Sequence, residues 1–270
     1  MRNPIPQAPV TRATVLAALR DALEPLPYVY AMWEGGAAGF DRVDEWSDID
    51  VQIDTADDHV VDVFAATDRA LSGLSPIELK YELPQPTWHG HAQAFYRLRD
   101  ASPFLFLDFV VIKHSNPDKL IQPEIHGRPV VRFDKAGVVA APPLDRQAHL
   151  AQIERRLQAL RACFDLFQVL TLKEIHRGNP IEAIAYYQGQ TLRPLVEALR
   201  IRYNPIRYNF FSRYVYYELP PEVVRRLEPL FFVAGLDDLR AKREAAERFF
   251  HETIEAIDLA QVAALLDRSA

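Results

Sequence analysis

Along the first half of the chain the spacing of apolar residues changes repeatedly. In Thr11–Leu23, TRATVLAALRDAL, they recur at helical intervals behind a threonine suited to cap a helix. Tyr28–Trp33, YVYAMW, is aromatic and apolar and stops at Gly35-Gly36, which predicts a buried strand. SDIDVQI, Ser47–Ile53, alternates polar and apolar residues at strand period. Asp57–Gly73 predicts a helix, with Asp57 or Asp58 as its cap and Gly73 as its stop. PIELKYEL, AQAFYRL and FLFLDFVVI read as three further strands, and RPVVRF as another that ends at the turn DKAG. This order predicts a mixed sheet with helices on one face.

Beyond Asp145 the period becomes helical throughout. Leu150, Ile153, Leu157, Leu160, Phe164, Phe167 and Leu170 share one stripe of a long helix that ends at Gly178. Asn179-Pro180 then opens IEAIAYYQGQTLRPLVEALRIRY, a helix expected to kink or break near Pro194. PPEVVRRLEPLFF and LDDLRAKREAAERFFHETIEAIDLAQVAALLD complete a bundle of about four helices. The proline-rich AAPPLD, Ala140–Asp145, marks the junction. The expected architecture is α+β, with a mixed-sheet domain over residues 1–143 and a helical bundle over 144–270.

Composition narrows the setting. The 270 residues contain no apolar run of membrane-spanning length, and the N-terminus has no apolar core of the signal-peptide kind. The single cysteine, Cys163 in LRACFDLF, reads as a buried and inert thiol. A cytoplasmic protein is expected. The net charge of −6 is uneven. Residues 1–145 hold 13 Lys and Arg against 21 Asp and Glu, while residues 146–270 hold 18 against 16. The acidic half would repel nucleic-acid phosphates and attract a metal or a cationic substrate.

The chemistry concentrates where glycines meet acids. On a strand, Asp48 and Asp50 share one face while Ile49, Val51 and Ile53 turn to the core. Two carboxylates so placed repel, and a divalent cation removes the repulsion; Mg²⁺ is commonly held by one or two carboxylates plus substrate phosphates. Gly35 and Gly36 allow a tight turn whose backbone N–H groups approach a phosphate, with Gly39 as added slack. Asp108 is the one polar residue of FLFLDFVVI, costly in a central strand unless it faces a metal or a cleft. Asp48, Asp50 and Asp108 together could hold two Mg²⁺ ions, an arrangement suited to in-line phosphoryl or nucleotidyl transfer.

Gly35-Gly36, the eleven residues Ala37–Ser47, and Asp48-Ile49-Asp50-Val51 resemble the nucleotidyltransferase signature of the polymerase beta superfamily. Asp108 matches that family's third carboxylate. Many members have Gly-Ser where this chain has Gly35-Gly36, which costs one hydroxyl to the triphosphate. The helical half is more loosely similar to the C-terminal bundles of aminoglycoside nucleotidyltransferases. The resemblance implies Mg²⁺-dependent transfer of a nucleoside monophosphate from ATP or another nucleoside triphosphate to a hydroxyl, with release of pyrophosphate. It assigns metal binding to Asp48, Asp50 and Asp108, and the last could instead take the acceptor's proton. Nucleotide contacts fall to Gly35, Gly36 and Ser47, and from the bundle to Lys173 and Arg177, across a cleft between the halves. The acceptor implied is a small molecule such as an aminoglycoside-like antibiotic. Transfer to tRNA or protein, as in toxin-like members, is an alternative, and a non-catalytic antitoxin-like module is another.

Other residues carry plainer readings. Asp41, Asp44 and Glu45 read as solvated loop acids, and Glu174 and Glu182 as surface acids of helices, although one of the glutamates could act as a base. The HGH of His89 and His91 lacks a third ligand nearby and reads as an exposed pair in a hairpin. The arginine-aromatic stretch Leu199–Tyr214 fits bundle packing, with phosphate or nucleobase contact as the sharper alternative.

Overall fold

A six-stranded mixed sheet organises the first half of the chain, in a computed structural model that describes residues 10–140 and 143–268. The chain divides into two compact units between Pro143 and Leu144, and the fold class is α+β. Strands β1 (Val29–Glu34), β2 (Ile49–Thr55), β3 (Ile77–Glu82), β4 (Ala92–Leu98), β5 (Phe106–Lys113) and β6 (Val130–Asp134) lie in the order β3-β4-β5-β2-β1-β6. The central pair, β2 with β5, is parallel; every other pairing is antiparallel.

One face of the sheet is covered by α1 (Arg12–Leu23) and α3 (Val60–Leu74). Ile49, Val51 and Ile53 of β2 and Leu107, Phe109 and Val111 of β5 bury there against Leu16, Leu19 and Leu23 of α1 and Val63 and Leu71 of α3. The opposite face is apolar only in part. Ala31, Trp33, Val110 and Ile112 pack under Ile121, with Val138 and Val139 beside them. Polar residues on the same face of β2, β4 and β5 include Asp50, Gln52, Gln93 and Asp108. Edge strand β3 is exposed and carries Glu78, Lys80 and Glu82, charges that discourage pairing with another edge.

Local signals account for several boundaries. Thr11 caps α1, its hydroxyl accepting from Thr14 N–H, with a reciprocal bond from Thr11 N–H to Thr14 Oγ1. Neither Asp57 nor Asp58 caps α3, which begins after His59. Asp57 instead accepts from the backbone N–H and the hydroxyl of Ser115, a partner that a local pattern does not reveal.

The second unit is helical. α5 (Arg146–Arg177) is one helix of 32 residues, capped by Asp145 and closed by Gly178 in the left-handed conformation at φ +74. α6 (Pro180–Tyr186) follows with proline in its first turn, as expected. The expected irregularity before Pro194 is a π-helical stretch, Tyr187–Leu192, that leads into α7 (Arg193–Tyr203). The stretch read from Leu236 onward as one helix is two, α10 (Leu236–Glu255) and α11 (Leu259–Arg268). The break falls where the Asp258 carboxylate accepts from Ala260 N–H and so starts a new helix. Cys163 is half-buried rather than enclosed.

Arg200 is fully buried and spent inside this unit. Its guanidinium donates to the carbonyls of Phe211 at 2.6 Å, Arg207 and Arg213, and to Glu218 Oε2 at 2.7 Å. Glu218 also pairs with Arg207. The arginine-aromatic stretch is therefore folded around Arg200, which is not available to a phosphate. Burial pushes the Arg200 pKa down, and Glu218 opposes that shift. Arg200→Met leaves Glu218 and three carbonyls without their shared donor. It should lower the unfolding free energy by about 3 kcal/mol, read as a fall in the urea midpoint at an unchanged slope.

Candidate active site

Strand register brings Asp50 and Asp108 together. In the parallel β2–β5 ladder Asp50 stands directly beside Asp108, and both side chains leave the face that is not covered by helices. Residues so paired sit on strands about 4.8 Å apart. β2 begins at Ile49, so Asp48 lies one residue ahead of the strand, with its carbonyl accepting from Arg12 Nη1. Among the described residues no group of three His, Cys, Asp or Glu side chains is drawn together as a ready-made metal cage. The acids at this sheet end are thus an adjacent pair with Asp48 close in sequence.

The glycine turn packs directly on this pair. Gly35 N–H donates to the Asp50 carbonyl at 3.1 Å, which ties the end of β1 to the start of β2. Gly36 follows at φ +52 and opens the four-residue turn α2 (Gly36–Gly39). A Cβ at Gly36 would overlap the Asp50 carboxylate, so no other residue fits without displacing it. Gly39 packs against the backbone of His126 and Gly127, and its carbonyl accepts from Arg128 N–H at 2.8 Å.

Buried ionic contacts brace the same end of the sheet. Glu34, the last residue of β1, is fully buried and pairs with both Arg12 and Arg132. Because Arg12 also holds the Asp48 carbonyl, Glu34 couples helix α1 to the segment that carries the acids. The strand pattern, read as ending at Trp33, did not single it out. Gln52 lies next along the face from Asp50, against Gly35, and its Oε1 is buried without a hydrogen-bond partner among the described residues.

Asp108 is held from the neighbouring strand. Gln93 Nε2 donates to Asp108 Oδ1 at 2.6 Å, and Gln93 Oε1 lies 2.9 Å from His89 Nε2. The HGH pair is therefore not an exposed hairpin pair. His91 is only 2% exposed, where β4 begins, and Asn116 reaches its Nδ1 at 3.3 Å. Burial, and then His89, push the His91 pKa down, which keeps that ring neutral.

The other expected contacts have local partners. Ser47 Oγ donates to Asp44 Oδ1 at 2.7 Å and accepts from Asp44 N–H, and Trp46 N–H also donates to Asp44; this is a closed turn. Arg177 pairs with Glu174 at 2.6 Å, and Asn179 Nδ2 donates to the other Glu174 oxygen at 2.9 Å. Glu174 is thus the lock at the end of α5, its pKa held down by Asn179 and then Arg177. Lys173 is exposed one turn earlier within the helical unit.

No family model matches the chain, and no curated protein matches it. Among solved structures it is similar to an aminoglycoside 6-adenyltransferase from Bacillus subtilis, with 12% identity over 94% of this chain and 92% of that one and a TM-score of 0.37. A likeness that faint adds nothing to what the site residues themselves carry.

Two glycines separate conformational need from close approach. Gly36→Ala must find room for a methyl group at positive φ against Asp50 and should cost roughly 2 kcal/mol. Gly73→Ala, in the last turn of α3 with open space around it, should gain roughly 0.5 kcal/mol. Paired denaturant titrations of the two variants check both signs.

Proposed function

We propose that the chain is a nucleotidyltransferase that moves a nucleoside monophosphate from a nucleoside triphosphate to an acceptor hydroxyl. One observation carries this reading: two carboxylates in register on adjacent parallel strands, beneath a glycine turn packed against one of them. Like charges side by side on a sheet repel, and a divalent cation relieves that repulsion. Hard carboxylate oxygens suit Mg²⁺. Asp50 and Asp108, joined by Asp48, would hold it. When bound it supplies neutralising charge for the triphosphate and polarises the phosphoryl group under attack.

The protein's own groups then have distinct tasks. The backbone of the Gly35-Gly36 turn would meet phosphate oxygens beside Asp50, through Gly36 rather than the Gly35 N–H, which is given to the Asp50 carbonyl. Asp108 completes the metal site or accepts the proton of the attacking hydroxyl. Gln52 Oε1 offers a buried acceptor beside the turn to a donor on the bound molecule. Glu34, through Arg12, keeps the Asp48 segment in place. The acceptor we favour is a small hydroxylated cation, because the first 145 residues carry a large acidic excess. Modification of tRNA or protein is the runner-up.

Incubation with labelled ATP, GTP, CTP or UTP and Mg²⁺, in the presence of aminoglycosides, bulk tRNA or protein alone, distinguishes these acceptors. Label on a small acceptor supports the reading, and label on a macromolecule favours the runner-up. Asp50→Asn should abolish transfer while circular dichroism shows the fold intact. Full transfer by that variant would sink the mechanism.

A further inference from the structure

The chain of hydrogen bonds behind Asp108 has a direction, and that direction follows from one backbone group. His91 N–H donates to His89 Nδ1 at 3.2 Å. A ring nitrogen that accepts carries no proton, so the neutral ring bears its hydrogen on Nε2. Nε2–H then donates to Gln93 Oε1 at 2.9 Å. That contact sets which end of the Gln93 amide is oxygen, and it turns the NH₂ group onto Asp108 Oδ1 at 2.6 Å. The hydroxyl of Thr87 is already committed to the His91 carbonyl at 2.6 Å and closes the loop that carries His89. With the ring the other way round, two N–H groups would meet at Nδ1.

We infer that His89 and Gln93 are positioning residues that hold the Asp108 carboxylate in a fixed orientation for cation binding beside Asp50. This rests on the nucleotidyl-transfer reading for its purpose, though not for its geometry. The physical need is specific. Asp50 stands next to Asp108 in the ladder, and repulsion between them favours rotation of one carboxylate away from the other. An amide N–H donated to Oδ1 opposes that rotation. Without the His89 donor the amide can also turn its oxygen toward the carboxylate, an orientation in which it donates nothing and repels it. The His89 proton removes that freedom, so three residues of one hairpin convert a backbone N–H into a fixed donor at the acid pair.

The sequence spacing suits this task. Gln93 pairs across the ladder with Val110, which places it diagonal to Asp108 on the same face. His89 lies four residues earlier, at the end of the loop that leads into β4, with Trp88 packed edge-on against it.

The test uses the full-length protein and variants of the relay. Imidazole ¹⁵N shifts of the parent should report His89 as the Nε2–H tautomer. Mn²⁺ alone, titrated by electron paramagnetic resonance, reads the acid pair without catalysis. Gln93→Met keeps the length but removes the donor to Asp108 without adding charge, and should weaken Mn²⁺ binding about 10–100-fold and lower kcat by a similar factor, with the nucleotide KM changed less. His89→Leu should weaken Mn²⁺ binding about tenfold, and His89→Gln, whose amide nitrogen can stand where Nε2 does, should recover most of that loss. Circular dichroism of each variant confirms folding, and the leucine–glutamine comparison at position 89 isolates the donor from the packing. An Nδ1–H tautomer, parental Mn²⁺ affinity in Gln93→Met, or no recovery in His89→Gln overturns the relay. A parent that transfers nothing, with the tautomer and the Mn²⁺ affinities as expected, overturns the reaction and leaves the relay standing.

Discussion

The parallel pairing of β2 with β5 is the constraint on which the first unit turns. It is the one parallel ladder of the sheet, it lies at the centre, and it sets Asp50 beside Asp108. A one-residue shift of β2 would turn Asp50 into the core that α1 and α3 cover, and a shift of β5 would do the same to Asp108. The apolar positions that alternate with them, Ile49, Val51, Leu107 and Phe109, fix the register by what they bury. The energetic burden of the acid pair is thus carried by ordinary hydrophobic packing on the other side of the same strands.

Around that pair the molecule uses charge in two ways. Glu34 with Arg12 and Arg132, and Arg200 with Glu218 and Arg207, are buried groups whose partners satisfy them, and they hold backbone segments together. Asp54, at the far end of β2, belongs with these, paired to Lys119 and His114. Asp50 and Asp108 differ in kind. They face each other across the ladder, and Asp108 takes an amide donor from Gln93. That side-by-side placement of two like charges marks the candidate site within the scaffold.

The parts legible in the sequence are those governed by local spacing. Alternation in SDIDVQI gave the strand and its acidic face, the lone acid in FLFLDFVVI gave Asp108, and the capped apolar stripe gave the helix from Arg146 to Arg177. What stayed hidden depends on residues far apart or on diagonal pairing. Gln93 reaches Asp108 only because β4 and β5 pair in one register. Asp57 left its helix for Ser115, 58 positions away. Arg200 looked like a candidate phosphate contact because nothing in its neighbourhood says that three carbonyls will close around it. Glu34 gave no signal at all, since a buried acid at a strand end resembles a solvated one until Arg12 and Arg132 arrive.

The central ladder also has a history in time. β2 and β5 lie nearly sixty positions apart, with α3 and the β3–β4 hairpin in the chain between them. Parallel pairing over that span is among the slower steps available to a small domain, because loop closure is paid before the contacts repay it. During synthesis β1 and β2 can pair as a hairpin well before β5 has left the ribosome. A nascent chain therefore carries Asp50 without its neighbour. The acid pair comes into being only when the sheet closes, so whatever binds there reports on a finished domain and selects against an unfinished one.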